Sequence, residues 1–264
     1  MAQPIKITSK IRLRDFDPGY DAGLDKEKTR EKTTALAQQI GELQQLLYAD
    51  RNRSLILLFQ GMDTSGKDGA SKRVLEFVTP AGVETANFKA PTSEELAHDF
   101  LWRIHKRVPR YGNIGVFNRS QYEDVLVVRV LNLVPKSVWQ LRYGQINAFE
   151  KILTDNNVIV LKFFLHISKE EQAKRLRARL EDPTKHWKFD INDLKMRAYW
   201  KQFQQAYEDA LNCCSTPYAP WHVVPADHKW FRDYVIATTV VDALKKLHMA
   251  WPKPKLDLSK IRIK

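Results

Sequence analysis

The stretch FQGMDTSGKDGASKR, residues 59–73, decides the fold, because it places a glycine loop between an apolar strand and a helix. Gly61, four further residues and Gly66-Lys67 follow the spacing of a phosphate-binding loop. The preceding run SLILLFQ (54–60) is typical of a buried parallel strand. Such a loop presents backbone N–H groups and a helix N-terminus to phosphate, and Lys67 would reach the terminal phosphates; the alternative is an ordinary strand-to-helix turn. The loop residues predicted to contact phosphate or nucleotide are Gly61, Thr64, Ser65, Gly66, Asp68 and Gly69.

Two acids in the loop depart from the usual motif. The lysine is followed by Asp68 and not by the Ser or Thr whose hydroxyl binds Mg²⁺, and Asp63 lies inside the loop. A carboxylate is a good oxygen ligand for a hard cation. The sequence therefore predicts Asp63 as the ligand of Mg²⁺, with Mn²⁺ as a substitute. Asp68 either assists or compensates the positive end of the following helix.

Composition and charge restrict the class of protein. The chain has 264 residues, of which 44% are hydrophobic and 28% charged, as in soluble globular proteins. No apolar run is long enough to span a bilayer, and the N-terminus has no apolar segment of signal-peptide length. The two cysteines, Cys213 and Cys214, are adjacent and give neither a disulfide framework nor a metal-ligand spacing, so we expect a cytoplasmic protein. The net charge of +12 favours an anionic partner (nucleic acid, nucleotide or polyphosphate) or is only a solvated basic surface.

Strands alternate with helices along the chain, which predicts an α/β fold: a five-stranded parallel sheet with helices on both faces. The five predicted strands are 54–60, 82–91, 113–120, 158–168 and 219–226. The glycine loop, Asn118-Arg119 and Ser168 all follow strand ends, where ligands bind in such sheets. We expect one domain, 1–264, with an N-terminal arm (1–25) and a helical lid region at about 168–212.

Polar residues cluster after the third predicted strand. Arg119 suits a phosphate clamp, and its alternative is a salt bridge to a nearby acid. Asn118 occupies the position at which many phosphate-loop enzymes carry a metal-binding Asp. Glu123 and Asp124 follow one turn later and bind metal or nucleotide, or are merely acids in the first turn of a helix.

A basic segment, residues 169–189, predicts the lid. Ser168 and Glu171 are a helix-capping pair, and the Glu171–Arg175 spacing leaves a structural role open for Arg175. Arg179 has no acid four residues away on either side, so an anion bridging Arg175 and Arg179 would offset their repulsion. A basic helix–loop–helix after the fourth strand is typical of nucleotide-kinase lids, which close to exclude water.

Further basic residues extend this prediction. Lys185 and Lys188 continue the basic strip into a loop that Trp187 and Phe189 are expected to anchor. Elsewhere, Thr92 and Glu95 form a capping box that predicts one helix through residue 107. Within that helix, Arg103 contacts phosphate or lies on a solvated face.

Three long motifs, GMDTSGKDG (61–69), FNRSQYEDVL (117–126) and RARLEDPTKHWKF (177–189), resemble the family-2 polyphosphate kinases. The similarity runs over about 21–251 and includes 91–105 and 218–234. It implies a thymidylate-kinase-like P-loop kinase fold with a helical lid, and a homodimer or homotetramer. It also implies Mg²⁺-dependent transfer of the terminal phosphoryl group between inorganic polyphosphate and nucleotides.

By that resemblance, Asp63 and Lys67 match the catalytic acid and lysine, Arg119 the strand-end arginine and Arg179 the lid arginine. The pattern Asn118, Glu123, Asp124 looks like the subgroup that phosphorylates both AMP and ADP, so we expect AMP, ADP and ATP as ligands, with guanine nucleotides as further acceptors. The alternatives are an ATP-dependent nucleoside monophosphate kinase and a non-enzymatic, basic nucleic-acid-binding module. We expect neither nucleic acid nor a membrane as partner.

Overall fold

Alternating strands and helices form one mixed sheet with helices on both faces in the computed structural model, which describes residues 5–254 and 256–263. The strands are β1 Ile5–Lys6, β2 Ser54–Gln60, β3 Val83–Asn87, β4 Ile114–Asn118, β5 Val158–His166 and β6 Trp221–Pro225. The helices are α1 Lys26–Asp50, α2 Lys67–Val74, α3 Ser93–Leu96, α4 Trp102–His105, α5 Val127–Val130, α6 Lys136–Asp155, α7 Lys169–Glu181, α8 Ile191–Ala198, α9 Trp200–Cys213 and α10 Lys229–Lys245. Short 3₁₀ turns occur at Leu13–Asp15, Pro80–Gly82, Gln121–Asp124, Pro183–Lys188 and Leu258–Lys260.

The five parallel strands are confirmed, and their spatial order is β6-β5-β2-β4-β3. A sixth strand, β1, pairs antiparallel with β6 at the edge of the sheet. This strand comes from the predicted N-terminal arm and has only two residues, too few for a hydrophobic pattern to reveal it. The arm is thus attached to the sheet by backbone hydrogen bonds.

The glycine-loop strand β2 lies at the centre of the sheet and is buried along its whole length. Its side chains alternate between two cores: Leu57 packs with the residues of α1, α2 and α10, and Leu58 packs with those of α6 and α9. A strand covered on both faces reads as an unbroken apolar run, which explains why SLILLFQ was recognisable from sequence.

Sheet order brings three strand ends together. Because β2 is flanked by β4 and β5, the glycine loop lies between the residues that follow β4 and those that begin α7. The register pairs Phe59 with Asn118 and Gln60 with Phe164, so these strands end at nearly the same height. The expected ligand edge of the sheet is therefore formed.

The single helix predicted from Thr92 to residue 107 is wrong, because two short helices, α3 and α4, take its place. The capping box of Thr92 and Glu95 is present. The break has a local cause: Asp99 Oδ1 accepts hydrogen bonds from the backbone N–H groups of Leu101 and Trp102 and starts a new turn.

The predicted lid region contains two kinds of helix. Helix α9 buries Phe203, Ala206 and Tyr207 in the core, so it is part of the body of the domain. Helix α8 has no buried residue, and the turn between α7 and α8 is exposed as well. Within residues 5–254 and 256–263, no helix combines the length and apolarity needed to cross a membrane.

Candidate active site

A cavity of about 470 Å³ lies at the carboxyl edge of the sheet, between the glycine loop, the end of β4 and the segment α7–α8. It brings together most of the predicted site residues: Asp63, Thr64, Gly66, Lys67, Asp68, Gly69, Asn118, Arg119, Arg175, Arg179, Lys185 and Lys188. Five others do not line it: Gly61, Ser65, Arg103, Glu123 and Asp124.

Positive charge dominates the cavity, since eight cationic side chains and four carboxylates line it. Two of these cations, Lys229 and Arg232, were not singled out from the sequence. They follow the end of β6, so the rule that ligands bind at strand ends could have found them. A cleft with this excess of one sign raises the local concentration of anions.

The glycine loop is shaped by close approach of its backbone to neighbouring groups. Gly66 has a φ of 98°, and a Cβ there would lie 2.0 Å from Nη1 of Arg232. A Cβ on Gly61 would lie 2.7 Å from the carbonyl oxygen of Leu165. Both positions therefore require glycine, and this leaves backbone N–H groups close to the cavity.

Lys67 is held inside the loop by carbonyl oxygens. Its Nζ donates to the backbone oxygen of Gly61 at 2.9 Å, and no ion pair of this side chain occurs within residues 5–254 and 256–263. Burial lowers the pKa of the Lys67 ammonium, and the nearby Asp63 carboxylate partly offsets that effect. An anion entering the cavity would find a half-buried cation that forms no ion pair with a described carboxylate.

Asp63 and Arg119 form an ion pair across the cavity, with 3.3 Å between Oδ1 of Asp63 and Nη2 of Arg119. Glu123 lies 3.9 Å from the same guanidinium and accepts a hydrogen bond from Gln60 Nε2 at 3.1 Å. Glu123, which does not line the cavity, thus helps to orient the Arg119 guanidinium. The salt-bridge alternative for Arg119 is therefore present. Its guanidinium also lines the cavity, and its role as a phosphate clamp stays a prediction.

Asn118 links the end of β4 to the glycine loop. Its Nδ2 donates to Oδ1 of Asp68 at 2.6 Å, and its own Oδ1 is buried without a hydrogen-bond partner. Within residues 5–254 and 256–263, no group of three or more His, Cys, Asp or Glu side chains is arranged to hold a metal ion. A metal ion at this cavity would therefore need ligands in addition to such side chains. Mg²⁺ meets this condition, because it keeps several waters and binds one or two carboxylates plus phosphate oxygens. The oxygens of Asp63, Asp68 and Asn118 fit that requirement.

Arg175 supports the loop and has no N–H group left for phosphate. Its Nε donates a hydrogen bond to Glu171 at 2.8 Å. Its two terminal nitrogens donate four hydrogen bonds of 2.6–3.0 Å to backbone carbonyl oxygens. Those carbonyls belong to Thr64, Ser65, Ala226 and Asp227. The structural alternative for Arg175 therefore replaces its predicted role as a phosphate ligand.

Arg179 lies in the cavity with a carboxylate partner that the sequence did not reveal. Its Nη1 is 2.9 Å from Oδ2 of Asp193 on α8 and 2.9 Å from the carbonyl oxygen of Lys188. Burial raises the pKa of Asp193, and the Asp63 carboxylate adds to the rise. Asp193 is therefore a counter-ion of the lid arginine that the sequence analysis did not identify, and an anion bridging Arg175 and Arg179 stays a prediction.

The loop between α7 and α8 is not anchored by Trp187, whose surface is 79% exposed, so that expectation is wrong. Phe189 is half-buried. Lys185 pairs with Asp182 at 2.5 Å. Lys188 stacks on the Trp187 ring at 4.8 Å and faces the cavity.

Arg103 and Asp124 form a largely buried pair away from the cavity, which corrects the prediction for Arg103. Asp124 lies in the first turn of the 3₁₀ helix Gln121–Asp124, which is one of its two predicted alternatives. The Arg103 guanidinium lies 3.7 Å from Asp124 and 3.6 Å from Glu95, and donates to the carbonyl oxygen of Lys89 at 2.8 Å. Asp124 also contacts Arg142 on α6 at 3.1 Å. Arg103 is neither a phosphate ligand nor part of a solvated helix face, because its side chain ties three segments together.

A buried ionic network lies behind the turn that carries Glu123. Lys162 Nζ contacts Glu150 Oε2 at 2.5 Å, the Tyr122 hydroxyl at 2.9 Å and the carbonyl oxygen of Cys214 at 2.7 Å. Glu150 Oε1 accepts from the Tyr122 hydroxyl and from Gln121 Nε2. The lysine in the middle of the apolar run VIVLKFFLHI was the sequence signal for this network.

Comparisons with known proteins cover nearly the whole chain. Residues 23–251 match the family described as Polyphosphate kinase 2 (PPK2). The chain is 46% identical over 261 residues to AMP/ADP-polyphosphate phosphotransferase of Meiothermus ruber, covering 98% of each chain. It is 41% identical over 249 residues to ADP-polyphosphate phosphotransferase of Rhodopseudomonas palustris, covering 90% of this chain and 85% of the relative.

A solved structure agrees with these sequence matches. The crystal structure of polyphosphate kinase 2 from Arthrobacter aurescens TC1 superposes with a TM-score of 0.94 at 43% identity, covering 97% of this chain and 92% of that chain. The residues matched by the family, 23–251, include the glycine loop, the end of β4 and the segment α7–α8.

Proposed function

The chain belongs to the polyphosphate kinase 2 family, and we propose that it transfers the terminal phosphoryl group of inorganic polyphosphate to AMP and to ADP. The observation that carries the proposal is the cavity beside the glycine loop, where eight cations and four carboxylates face one another. Its excess positive charge suits two polyanions that converge on one loop. The names of the Meiothermus ruber and Rhodopseudomonas palustris relatives support AMP and ADP as acceptors, and guanine nucleotides are further candidates.

The chemistry requires charge neutralisation more than proton transfer. A phosphate oxygen of AMP or ADP is largely ionised near neutral pH, so it attacks the terminal phosphorus of polyphosphate without a general base. One P–O bond forms to the acceptor, and the bridging P–O bond breaks, leaving a polyphosphate shorter by one unit. Lys67 and Arg119 offset the negative charge that the reacting phosphates bring together.

A divalent cation, Mg²⁺ or Mn²⁺, belongs to this proposal. Asp63 would hold it, and Asp68 and the unpartnered Oδ1 of Asn118 are the further oxygen ligands. When bound, the cation supplies positive charge to the phosphates. Arg119, which pairs with Asp63 at 3.3 Å, would then be released toward phosphate.

We also propose that the chain is one domain whose mobile lid is confined to α7, α8 and the turn between them. This segment carries Arg179, Lys185 and Lys188 over the cavity, whereas α9 is packed in the core. Closure would exclude water and so suppress hydrolysis of the donor. Two free cysteines support a cytoplasmic location, and we expect the chain to act as a homodimer or homotetramer.

The test is a donor and acceptor assay. Protein, Mg²⁺, long-chain polyphosphate and AMP should yield ADP first and then ATP, separated by anion-exchange chromatography. Product formed from ATP but not from polyphosphate would identify an ATP-dependent monophosphate kinase and overturn the proposal. The proposal would also be overturned if no product formed with any nucleotide and metal while the protein bound DNA tightly at physiological salt, as expected of a nucleic-acid-binding module.

A further inference from the structure

The outer face of α6 carries an apolar stripe that the described part of the chain leaves exposed. Val138, Leu141 and Ile152 are 39%, 69% and 55% exposed, and Ala148 is exposed as well. With Gln145 these residues are spaced alternately by three and four positions. This is the spacing of a seam at which two helices pack against each other.

The outer members of the stripe are placed symmetrically about its only polar member, Gln145. Val138 lies seven residues before it and Ile152 seven residues after it. An antiparallel copy of α6, related by a two-fold axis through Gln145, would place each Val138 against Ile152 of the second copy. Next to the axis, a Cβ on Gly144 would meet no atom within 4 Å, so the backbone is open to close approach.

The two ends of the helix have complementary apolar features. Leu133, twelve residues before Gln145, is 61% exposed. At the other end, a pocket of about 390 Å³ is lined by Ile152, Asn156, Val158 and residues 108–111. Leu133 precedes α6 and the pocket lies at the C-terminal end of α6, so antiparallel pairing of two copies brings Leu133 of one copy toward the pocket of the other.

We propose that α6 pairs antiparallel with α6 of a second copy of this chain, about a two-fold axis at Gln145. Leu133 of each copy fills the pocket beside Ile152 of the other. The two Gln145 amides hydrogen-bond to each other, and a lone polar residue in an apolar seam selects one register.

This surface is independent of the proposed reaction, so the two proposals fail in different experiments. Engineered cysteines test the register. In a background with the exposed Cys213 changed to Ser, Gln145→Cys should form an intermolecular disulfide on mild oxidation, seen on a non-reducing gel. Gln140→Cys, exposed on the opposite side of the same helix, should not.

Sedimentation equilibrium tests the energetics. Leu141→Asp should weaken self-association by about a hundredfold or more, because it buries an unpaired charge in the seam. Gln140→Asp is the matched control and should associate like the wild type. If the wild type is a tetramer, Leu141→Asp should leave dimers. Circular dichroism would check folding, which the exposed position of Leu141 should preserve.

Three results would each overturn the proposal: a monomeric wild type at tens of micromolar, an unchanged dissociation constant for Leu141→Asp, or equal crosslinking at positions 140 and 145. Leu133→Asp gives an independent check of the pocket. It should weaken association by about tenfold, since it removes one apolar contact at each end of the interface.

Discussion

Individual charged residues in the cavity interact with partners within the protein, which a bound phosphate would replace. Lys67 rests on the carbonyl oxygen of Gly61, Asp63 pairs with Arg119, and Arg179 pairs with Asp193. Each pair lowers the cost of holding charge at a partly buried site. The side chains are thereby kept close to the positions in which polyanions would meet them.

The buried His222 predicts a loss of stability in acid. Burial lowers its pKa from 6.5 to about 4, although its Nδ1 lies 3.2 Å from the carbonyl oxygen of Lys162. Between these pH values the unfolded chain binds a proton that the folded chain does not, so stability falls as pH decreases. The histidine should therefore contribute a loss of about 2 kcal/mol from pH 7 to pH 5.

His222→Asn keeps an N–H donor and removes the titration. Urea unfolding at both pH values should show a smaller acid-induced loss for this variant than for the wild type. His186→Asn, a change at an exposed histidine, controls for the substitution itself. An identical acid-induced loss in His222→Asn and the wild type would exclude this account of His222.

Sequence predicted the cavity positions of Asp63, Lys67, Arg119 and Arg179, because a motif at a strand end determines where a side chain lies. It also placed Arg175 at the cavity, but it did not predict the role of that guanidinium, whose partners include backbone carbonyls more than fifty residues away in sequence. A chemical type and a local spacing do not determine which distant groups a polar side chain will meet.

At the scale of elements, the 3₁₀ turn Gln121–Asp124 connects the cavity to the core. Glu123 faces Arg119 from this turn, and Tyr122 reaches the buried pair of Lys162 and Glu150. The pair joins β5, α6 and the turn. Its side chains are completely buried, so neither charge can be screened by water.

Lys162→Met should destabilise the protein by about 3–5 kcal/mol, because it leaves the buried Glu150 carboxylate without its counter-ion. The double variant Lys162→Met/Glu150→Gln should recover part of that loss, since no charge remains. Urea unfolding at neutral pH measures both. Lys151→Met on α6 removes the exposed pair with Asp155 and should cost less than about 1 kcal/mol.

A Lys162→Met protein as stable as the wild type would contradict this account. So would a double variant that is no more stable than the single one.

Elements were predictable where one pattern dominated. The buried strand β2 was recognised from the apolar run SLILLFQ before the glycine loop, and the start of α7 from Ser168 and Glu171. The helix expected over 92–107 failed because a single side chain, Asp99, captured two backbone N–H groups. The two-residue strand β1 forms by pairing with the edge strand β6. The sequence of so short a segment does not reveal that pairing.

At the scale of the whole molecule, part of the net charge of +12 has a location, because the groups lining the cavity leave an excess of four positive charges. The excess is present in the cavity itself, where Lys67, Lys188 and Lys229 form no ion pair within residues 5–254 and 256–263. Composition alone could not distinguish this arrangement from a uniformly basic surface, since it does not specify where charges gather.

Salt should weaken the binding of the donor. The KM for polyphosphate should rise about tenfold or more from low to physiological ionic strength, as ions compete for the cationic cavity. Lys188→Gln and Lys229→Gln should each make this dependence shallower, by about one unit of logarithmic slope. Lys28→Gln, an exposed change on α1 outside the cavity, serves as the control. Equal slopes in all variants would show that polyphosphate binds elsewhere.

The most direct test of the proposed site is the turnover of Lys67→Met beside that of Lys72→Met, with polyphosphate as donor and ADP as acceptor. Both changes remove one positive charge from α2, but only Lys67 lines the cavity. We predict a fall in kcat of about a hundredfold or more for Lys67→Met, with its fold retained, and a rate close to that of the wild type for Lys72→Met. Near-native turnover by Lys67→Met would contradict the assignment of the reaction to this cavity.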